Sequence, residues 1–287
     1  MKKIFSLLLA AVMCLSLSAC AGGDNGSTVG GTGDDASTSG AGSAASTSSE
    51  EESDIAYIQD KGTLVVGITD FAPMDYQDDN GEWIGFDADM AREVADALGV
   101  EVQFSEIEWG NKLMELDNKS VDCLWNGMTI TDEITNGASA TNPYAKNAQV
   151  VVVPADKADQ YKTAEDLQGL LIAVEDGSAG QEAAEAEGLH CNAVQSQAAA
   201  LMEVDAGTSD ACVIDLLMAG AMIGEGTSYP DLVGTVELTE EDYGVGCRKG
   251  SDLTEFINEQ FVKLYEDGTM AELAEKYGIS DNIVEQK

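Results

Sequence analysis

The sequence predicts an α/β fold made of two units in one chain, and three observations carry that prediction. Short β-branched apolar runs alternate with stretches of helical periodicity. The alternation restarts after Val150, Val151, Val152 and Val153. No long loop separates the two passages. Strand–helix–strand alternation is the pattern of a parallel sheet with crossover helices. Ligands of open parallel sheets sit beyond the carboxyl ends of the strands, and a cleft between two such units is a favoured binding place.

In the first unit, residues 63–68 are a buried strand following Lys61-Gly62, and Asp78-Asp79-Asn80-Gly81 is a turn. From 86 to 98 the apolar residues Met90, Val94, Ala95 and Leu98 recur at helical spacing, and Gly99 stops the helix. Residues 100–104 form the next strand, 109–116 a short helix and 121–126 a third strand. The second unit reads as a short helical opening at 163–167, a strand at 170–174, and helices at 180–186 and 197–204. A strand at 211–214 and a helix at 216–223 follow. A late strand at 244–248 precedes two closing amphipathic helices, 252–267 and 270–277. Leu253, Phe256, Ile257, Phe261 and Leu264 give the first of these a core-facing stripe.

The N-terminus predicts where the protein works. Lys2 and Lys3 precede a nearly continuous apolar run, 4–17, and Leu17-Ser18-Ala19-Cys20 follows. This is the order of a secretory signal peptide, and its ending resembles a bacterial lipobox in which Cys20 is lipidated. Acyl chains on Cys20 would anchor the mature chain on the outer face of a membrane. Residues 21–53 are almost entirely Gly, Ser, Thr, Ala, Asp and Glu, with no aromatic residue. They read as a flexible linker that cannot bury enough apolar surface to offset chain entropy.

Composition removes several functional classes. With 53 acidic and 14 basic residues the net charge is −39, which argues against nucleic acid or anionic lipid as a partner. One histidine, His190, in the turn-like Gly188-Leu189-His190, makes a His-dependent triad or His-based metal site improbable. Cys123, Cys191, Cys212 and Cys247 show no CxxC spacing, so neither a metal nor a cofactor is expected.

Several segments line up with one family in order and spacing. They are Gly62-Thr63-Leu64-Val65-Val66-Gly67 leading to Phe71-Ala72-Pro73-Met74, then Gly85-Phe86-Asp87-Ala88-Asp89-Met90, and Asn126-Gly127-Met128-Thr129-Ile130-Thr131. Pro143-Tyr144, Glu165-Asp166-Leu167-Gln168-Gly169, Glu175-Asp176-Gly177-Ser178, Ser209-Asp210-Ala211 to Asp215, and Glu266-Asp267-Gly268-Thr269 follow. Together they resemble the family 3 extracellular solute-binding proteins, polar amino-acid receptors of ABC importers. The resemblance implies a two-lobed, type II periplasmic-binding-protein-like fold with the ligand cleft between lobes. Lobe 1 would be roughly 54–146 plus 244–287 and lobe 2 roughly 147–243. It also implies a monomeric chain, an ABC permease as partner, and closure of the lobes over the ligand by hinge motion.

By the same comparison Phe71 and Trp109 would wall the ligand, and Asn126, Gly127 and Thr129 would bond it at a strand end. Asp215, after the buried run 211–214, would receive an α-ammonium group; a helix N-cap is the alternative role for an Asp there. Asp70, Glu175 and Ser178 fall at or near the same pocket. Two departures stand out. Ile134 occupies the position where the family has an arginine that clamps the α-carboxylate, and Ala179 replaces a hydroxyl residue. Arg92 and Arg248 match neither position, and Lys146 is the nearest candidate cation. A net-negative cleft favours a cationic or zwitterionic ligand. A carboxylate on it would be held by backbone N–H groups near residues 127–129 or 178–180. Two alternatives are an enzyme on the same scaffold, dehydratase-like, and a ligand sensor for a signalling partner; neither a nucleophile–base pair nor a second spanning segment supports them.

Overall fold

A helix not foreseen from the sequence opens the structure, a computed structural model describing residues 53–287. This helix, α1 (Asp54–Lys61), is capped by Ser53, whose hydroxyl accepts from the Ala56 N–H at 3.0 Å. It ends at Gly62 in the left-handed conformation, φ 75°. The signal peptide, the lipobox with Cys20 and nearly all of the expected linker lie outside the described residues. Among the described residues no helix is long and apolar enough to cross a membrane.

The first half of the fold follows the expected alternation. Strand β1 (Thr63–Ile68) leads through a hairpin, β2 (Tyr76–Gln77) and β3 (Trp83–Ile84), to α2 (Phe86–Leu98). Phe86, Met90, Val94 and Leu98 form the buried stripe of α2, and Gly99 caps it at φ 76°. β4 (Glu101–Glu106), a 3-10 turn at Trp109–Asn111, α3 (Lys112–Asp117) and β5 (Cys123–Thr129) complete this half. β1 lies between β4 and β5, parallel to both. α4 (Asp132–Gly137) and β6 (Ser139–Ala140) then lead into β7 (Ala145–Pro154).

The second half contains 3-10 segments at Ala155–Gln160 and Ala164–Leu167, then β8 (Leu171–Glu175), α5 (Ala179–Ala186) and β9 (His190–Val194). α6 (Gln197–Asp205), β10 (Ala211–Asp215) and α7 (Leu216–Met222) follow. β8 lies between β9 and β10, parallel to both. The expected turn at His190 is instead the start of β9, with the imidazole exposed.

The longest strand, β11 (Leu232–Cys247), returns the chain to the first half, where α8 (Leu253–Glu266) and α9 (Thr269–Tyr277) end the fold. β7 and β11 run antiparallel from Leu232 opposite Pro154 to Tyr243 opposite Ala145. From Tyr243 to Cys247 β11 pairs with β5, and residues 149–152 of β7 pair with β10 on the edge away from β11. The result is one path, β4-β1-β5-β11-β7-β10-β8-β9, in which two long antiparallel strands join two parallel groups. Register shifts in β11 near Gly234, Glu237 and Gly244 bend it along this span. The four cysteines among the described residues are free, and Cys123 stands directly opposite Cys247.

Candidate functional site

A cavity of about 310 Å³ lies where the carboxyl ends of β5, β8 and β10 meet the α3 and α5 starts. Its wall draws on both halves of the fold. Trp109, Lys112, Asn126, Gly127, Thr129 and Ile134 come from the first half, and Glu175, Ser178, Ala179, Gln197 and Asp215 from the second. The halves touch at its edge. Lys112 Nζ donates to the Gly177 carbonyl at 2.9 Å, and Gln195 Nε2 donates to Glu108 Oε1 at 3.1 Å. Seven of the nine ligand-site candidates therefore converge here: Trp109, Asn126, Gly127, Thr129, Glu175, Ser178 and Asp215.

The first-half wall is held from behind. Asn126 spends its amide within its own half. Its Oδ1 accepts from the Thr69 N–H and hydroxyl at 2.9 and 2.8 Å, and its Nδ2 donates to the Thr69 carbonyl and to Asp75 Oδ2. The Gly127 N–H donates to Asp87 Oδ2 at 2.6 Å, and the Tyr144 hydroxyl donates to the same oxygen. Burial pushes Asp87 up to about 7, against the pull of those two donors. Burial and the Asp87 charge raise Asp75 well above its usual range. Gly127 has φ 53°, and a Cβ there would stand 2.5 Å from Phe71 Cε1. Only glycine lets the strand end approach that ring.

The second-half wall carries the carboxylates. Asp215 ends β10 but does not cap α7 with its side chain. Its Oδ1 accepts from Asn147, from Gln149 at 3.1 Å and from the Tyr243 hydroxyl at 2.5 Å, while Gln197 donates to its Oδ2. The same Asn147 and Gln149 amides also donate to Glu241 Oε1, at 2.7 and 2.6 Å. Burial, then the Glu241 charge, pushes Asp215 up to about 7. Glu175 ends β8, is 3 % exposed, and its Oε1 has no hydrogen-bond partner. Burial lifts Glu175 to about 8 and the Asp215 charge adds to it, while hydrogen bonds from Thr69 and Gln197 and the Lys112 charge oppose. A buried unpaired carboxyl oxygen in a cavity wall is an acceptor in want of a donor. Ser178 acts as N-cap of α5, its hydroxyl accepting from the Gln181 N–H at 3.1 Å.

Two candidates lie elsewhere. Phe71 is buried in the core beside Gly127, edge-on to Tyr243 with ring centroids 6.4 Å apart, and does not line the cavity. Asp70 lines a second cleft of about 650 Å³ with Tyr76, Trp83, Glu106 and Met222. Burial and the Glu106 charge raise its carboxyl. Lys146, the cation suggested by the sequence, is 65 % exposed and pairs with Asp242 at 2.6 Å. The basic side chain in the cavity wall is Lys112, only 4 % exposed. Sequence reading passed over it because a lysine in a short helix reads as a solvent-facing residue; its place one turn after Trp109 was the available signal. Ile134 sits in the wall, buried against Trp109 and Leu116.

Comparison with known proteins agrees with this architecture. The profile of the bacterial extracellular solute-binding proteins, family 3, matches residues 64–280. The L-cystine-binding protein TcyJ of Escherichia coli K12 is 28% identical over 224 residues, spanning 77% of this chain and 84% of that one. The ABC transporter glutamine-binding protein GlnH of Bacillus subtilis is 29% identical over 291 residues, 96% and 97% of the two chains. Among solved structures, a mutant of ArgBP from T. maritima superposes with a TM-score of 0.73 at 34% identity, covering 78% of this chain and 99% of that one. An ABC uptake transporter substrate-binding protein from Streptococcus pneumoniae with bound histidine has a TM-score of 0.73 at 30% identity, covering 80% and 98%. TcyJ, GlnH and the Streptococcus pneumoniae protein are named as binding proteins, the last two of ABC transporters.

Proposed function

Because the chain belongs to the bacterial extracellular solute-binding proteins, family 3, we propose that it is the lipid-anchored substrate-binding component of an ABC importer. It takes an amino acid or a similar small zwitterionic or cationic solute and closes two lobes over it. Lobe 1 is roughly 54–146 plus 244–287 and lobe 2 roughly 147–243, with β7 and β11 as the crossing strands. The observation that carries the reading is the cavity between strand ends of both halves, with Glu175 and Asp215 buried in its wall. Enclosure takes a polar solute out of water, so each of its charged groups needs a partner in the wall. Relatives named for cystine, glutamine and histidine support an amino acid as the solute class. Cys20, at the end of the apolar N-terminal run, is the proposed site of lipidation; labelled palmitate incorporated by the wild type and lost in Cys20→Ala is the expected result.

The solute is found by a thermal-shift screen of the twenty amino acids, polyamines, betaines and short peptides, because a ligand of the folded form alone raises the melting temperature. With a hit in hand, Asp215→Ala is expected to abolish binding in calorimetry and Lys146→Ala to leave it nearly intact. Wild-type affinity in Asp215→Ala removes Asp215 from the site. A screen without a single shift removes the receptor reading.

A further inference from the structure

We propose that Lys112 receives the ligand's carboxylate, and that Glu133 holds its place until the ligand arrives. The inference rests on the receptor reading and names the solute class: an amine that also bears a carboxylate.

The charge layout of the cavity carries the argument. Its wall holds five carboxyl side chains, Glu133, Glu175, Glu182, Glu185 and Asp215, and one basic group, Lys112. Glu175 and Asp215 are buried, whereas Glu133, Glu182 and Glu185 lie exposed at the rim. Lys112 Nζ bonds the Gly177 carbonyl from the other half at 2.9 Å and Glu133 Oε2 at 2.8 Å, and it lies over the Trp109 ring, 5.8 Å from its centroid. An ammonium group taken out of water needs a counter-charge beside it. Here that counter-charge is a side chain 56 % exposed, at the start of the short helix α4. Glu133 can turn into solvent at little cost, and a ligand carboxylate can take its place with no change in the charge beside Lys112.

Several other donors of the wall are already spent on the protein itself. The Gly127 N–H goes to Asp87, the Gly177 N–H to Gln181 Oε1 at 2.8 Å, and the Ser178 N–H to the Glu175 carbonyl at 3.2 Å. Ile134 and Ala179, where side-chain donors were expected, offer none. Among the described residues Lys112 is the one cation in the wall for an entering carboxylate, and an ammonium or guanidinium group meets the unpaired oxygen of Glu175 on the opposite half. Because Lys112 also bonds across the seam to Gly177, the carboxylate is held where the halves meet.

The test is calorimetry on the full mature chain with matched pairs: L-arginine and agmatine, L-histidine and histamine, L-glutamine and 4-aminobutanamide, L-cystine and cystamine. At least one amino acid is expected to bind, with its decarboxylated partner at least about thirty-fold weaker, the scale of a truncated charge pair. K112M weakens the same amino acid by a similar factor, and E133Q, having lost the competing charge, binds it several-fold tighter. An amine that binds as well as its amino acid overturns the proposal and leaves the receptor reading standing. So does K112M with wild-type affinity, or E133Q with reduced affinity. Should K112M not fold, the wild-type pairs and E133Q decide alone. If none of the eight compounds binds, the proposal falls, and the wider solute screen then decides separately whether the receptor reading falls with it.

Discussion

Glu175 is the side chain whose protonation bears most directly on binding. In the free protein its carboxyl is lifted from 4.5 to about 8, mostly by burial, so at neutral pH it holds its proton. A cationic group docking against it favours the carboxylate and draws the value back toward 4.5. The complex therefore binds fewer protons than the free protein between those two limits. Affinity for a cationic or zwitterionic ligand climbs as pH rises toward 8, by up to about tenfold per pH unit, and levels above it. Asp215, lifted to about 7, steepens the climb below that pH. Calorimetry near pH 7 in buffers of different ionisation enthalpy is expected to show about one to one and a half protons released per ligand bound. Glu175→Gln should flatten the upper part of the profile. An affinity that stays level from pH 6 to pH 9 in the wild type would show that Glu175 does not meet the ligand's charge.

At the scale of single elements, Arg248 fixes helix α1 to the end of β11. Its Nε lies 3.0 Å from both Asp54 oxygens, its Nη1 donates to the Val121 carbonyl at 2.8 Å, and its Nη2 lies 3.4 Å from Asp122 Oδ1. Arg248→Ala leaves the buried carboxylate Asp54 without its counter-charge, and Asp122 with Lys61 alone, a loss of about 3–5 kcal/mol. Urea unfolding should read that loss, while affinity per folded molecule stays unchanged, since Arg248 is absent from the cavity wall. A midpoint shift near zero would show that α1 is held by other contacts. The sequence announced β1 and α2 because valine-rich runs and a four-residue apolar stripe have few alternatives. It did not announce α1, whose short amphipathic run follows an acidic, serine-rich stretch, nor the first three-quarters of β11. In β11, Glu237, Glu240, Glu241 and Asp242 interrupt the apolar run, because one face of that strand is open to water. Asp215 and Glu175 were legible because each ends an apolar strand, where an acid has no role in packing. Lys112 was not, since its burial depends on Gly177, 65 residues away.

Among the described residues one nine-stranded sheet serves both halves, and β7 and β11 are the strands that join them, so the closure proposed above would turn on those two strands. Where the halves meet opposite those strands, glycine faces glycine. A Cβ on Gly177 would stand 2.6 Å from the Gly110 Cα, and one on Gly110 would stand 2.5 Å from Asp176 Oδ2. Gly177 also needs its left-handed conformation, φ 69°, so a change there confounds closure with backbone strain. Gly110 carries no such requirement, which makes Gly110→Val the cleaner probe. The added side chain faces the opposite half and leaves the strand pairings of both parallel groups as they are. The ligand-free melting temperature should therefore move little, while affinity for the solute identified by screening falls by about ten- to a hundred-fold, or roughly 1.4–2.8 kcal/mol. Solution scattering at saturating ligand should show the variant less compact than the wild type. Equal affinity together with equal compaction would mean that ligand binding does not require this glycine seam to close.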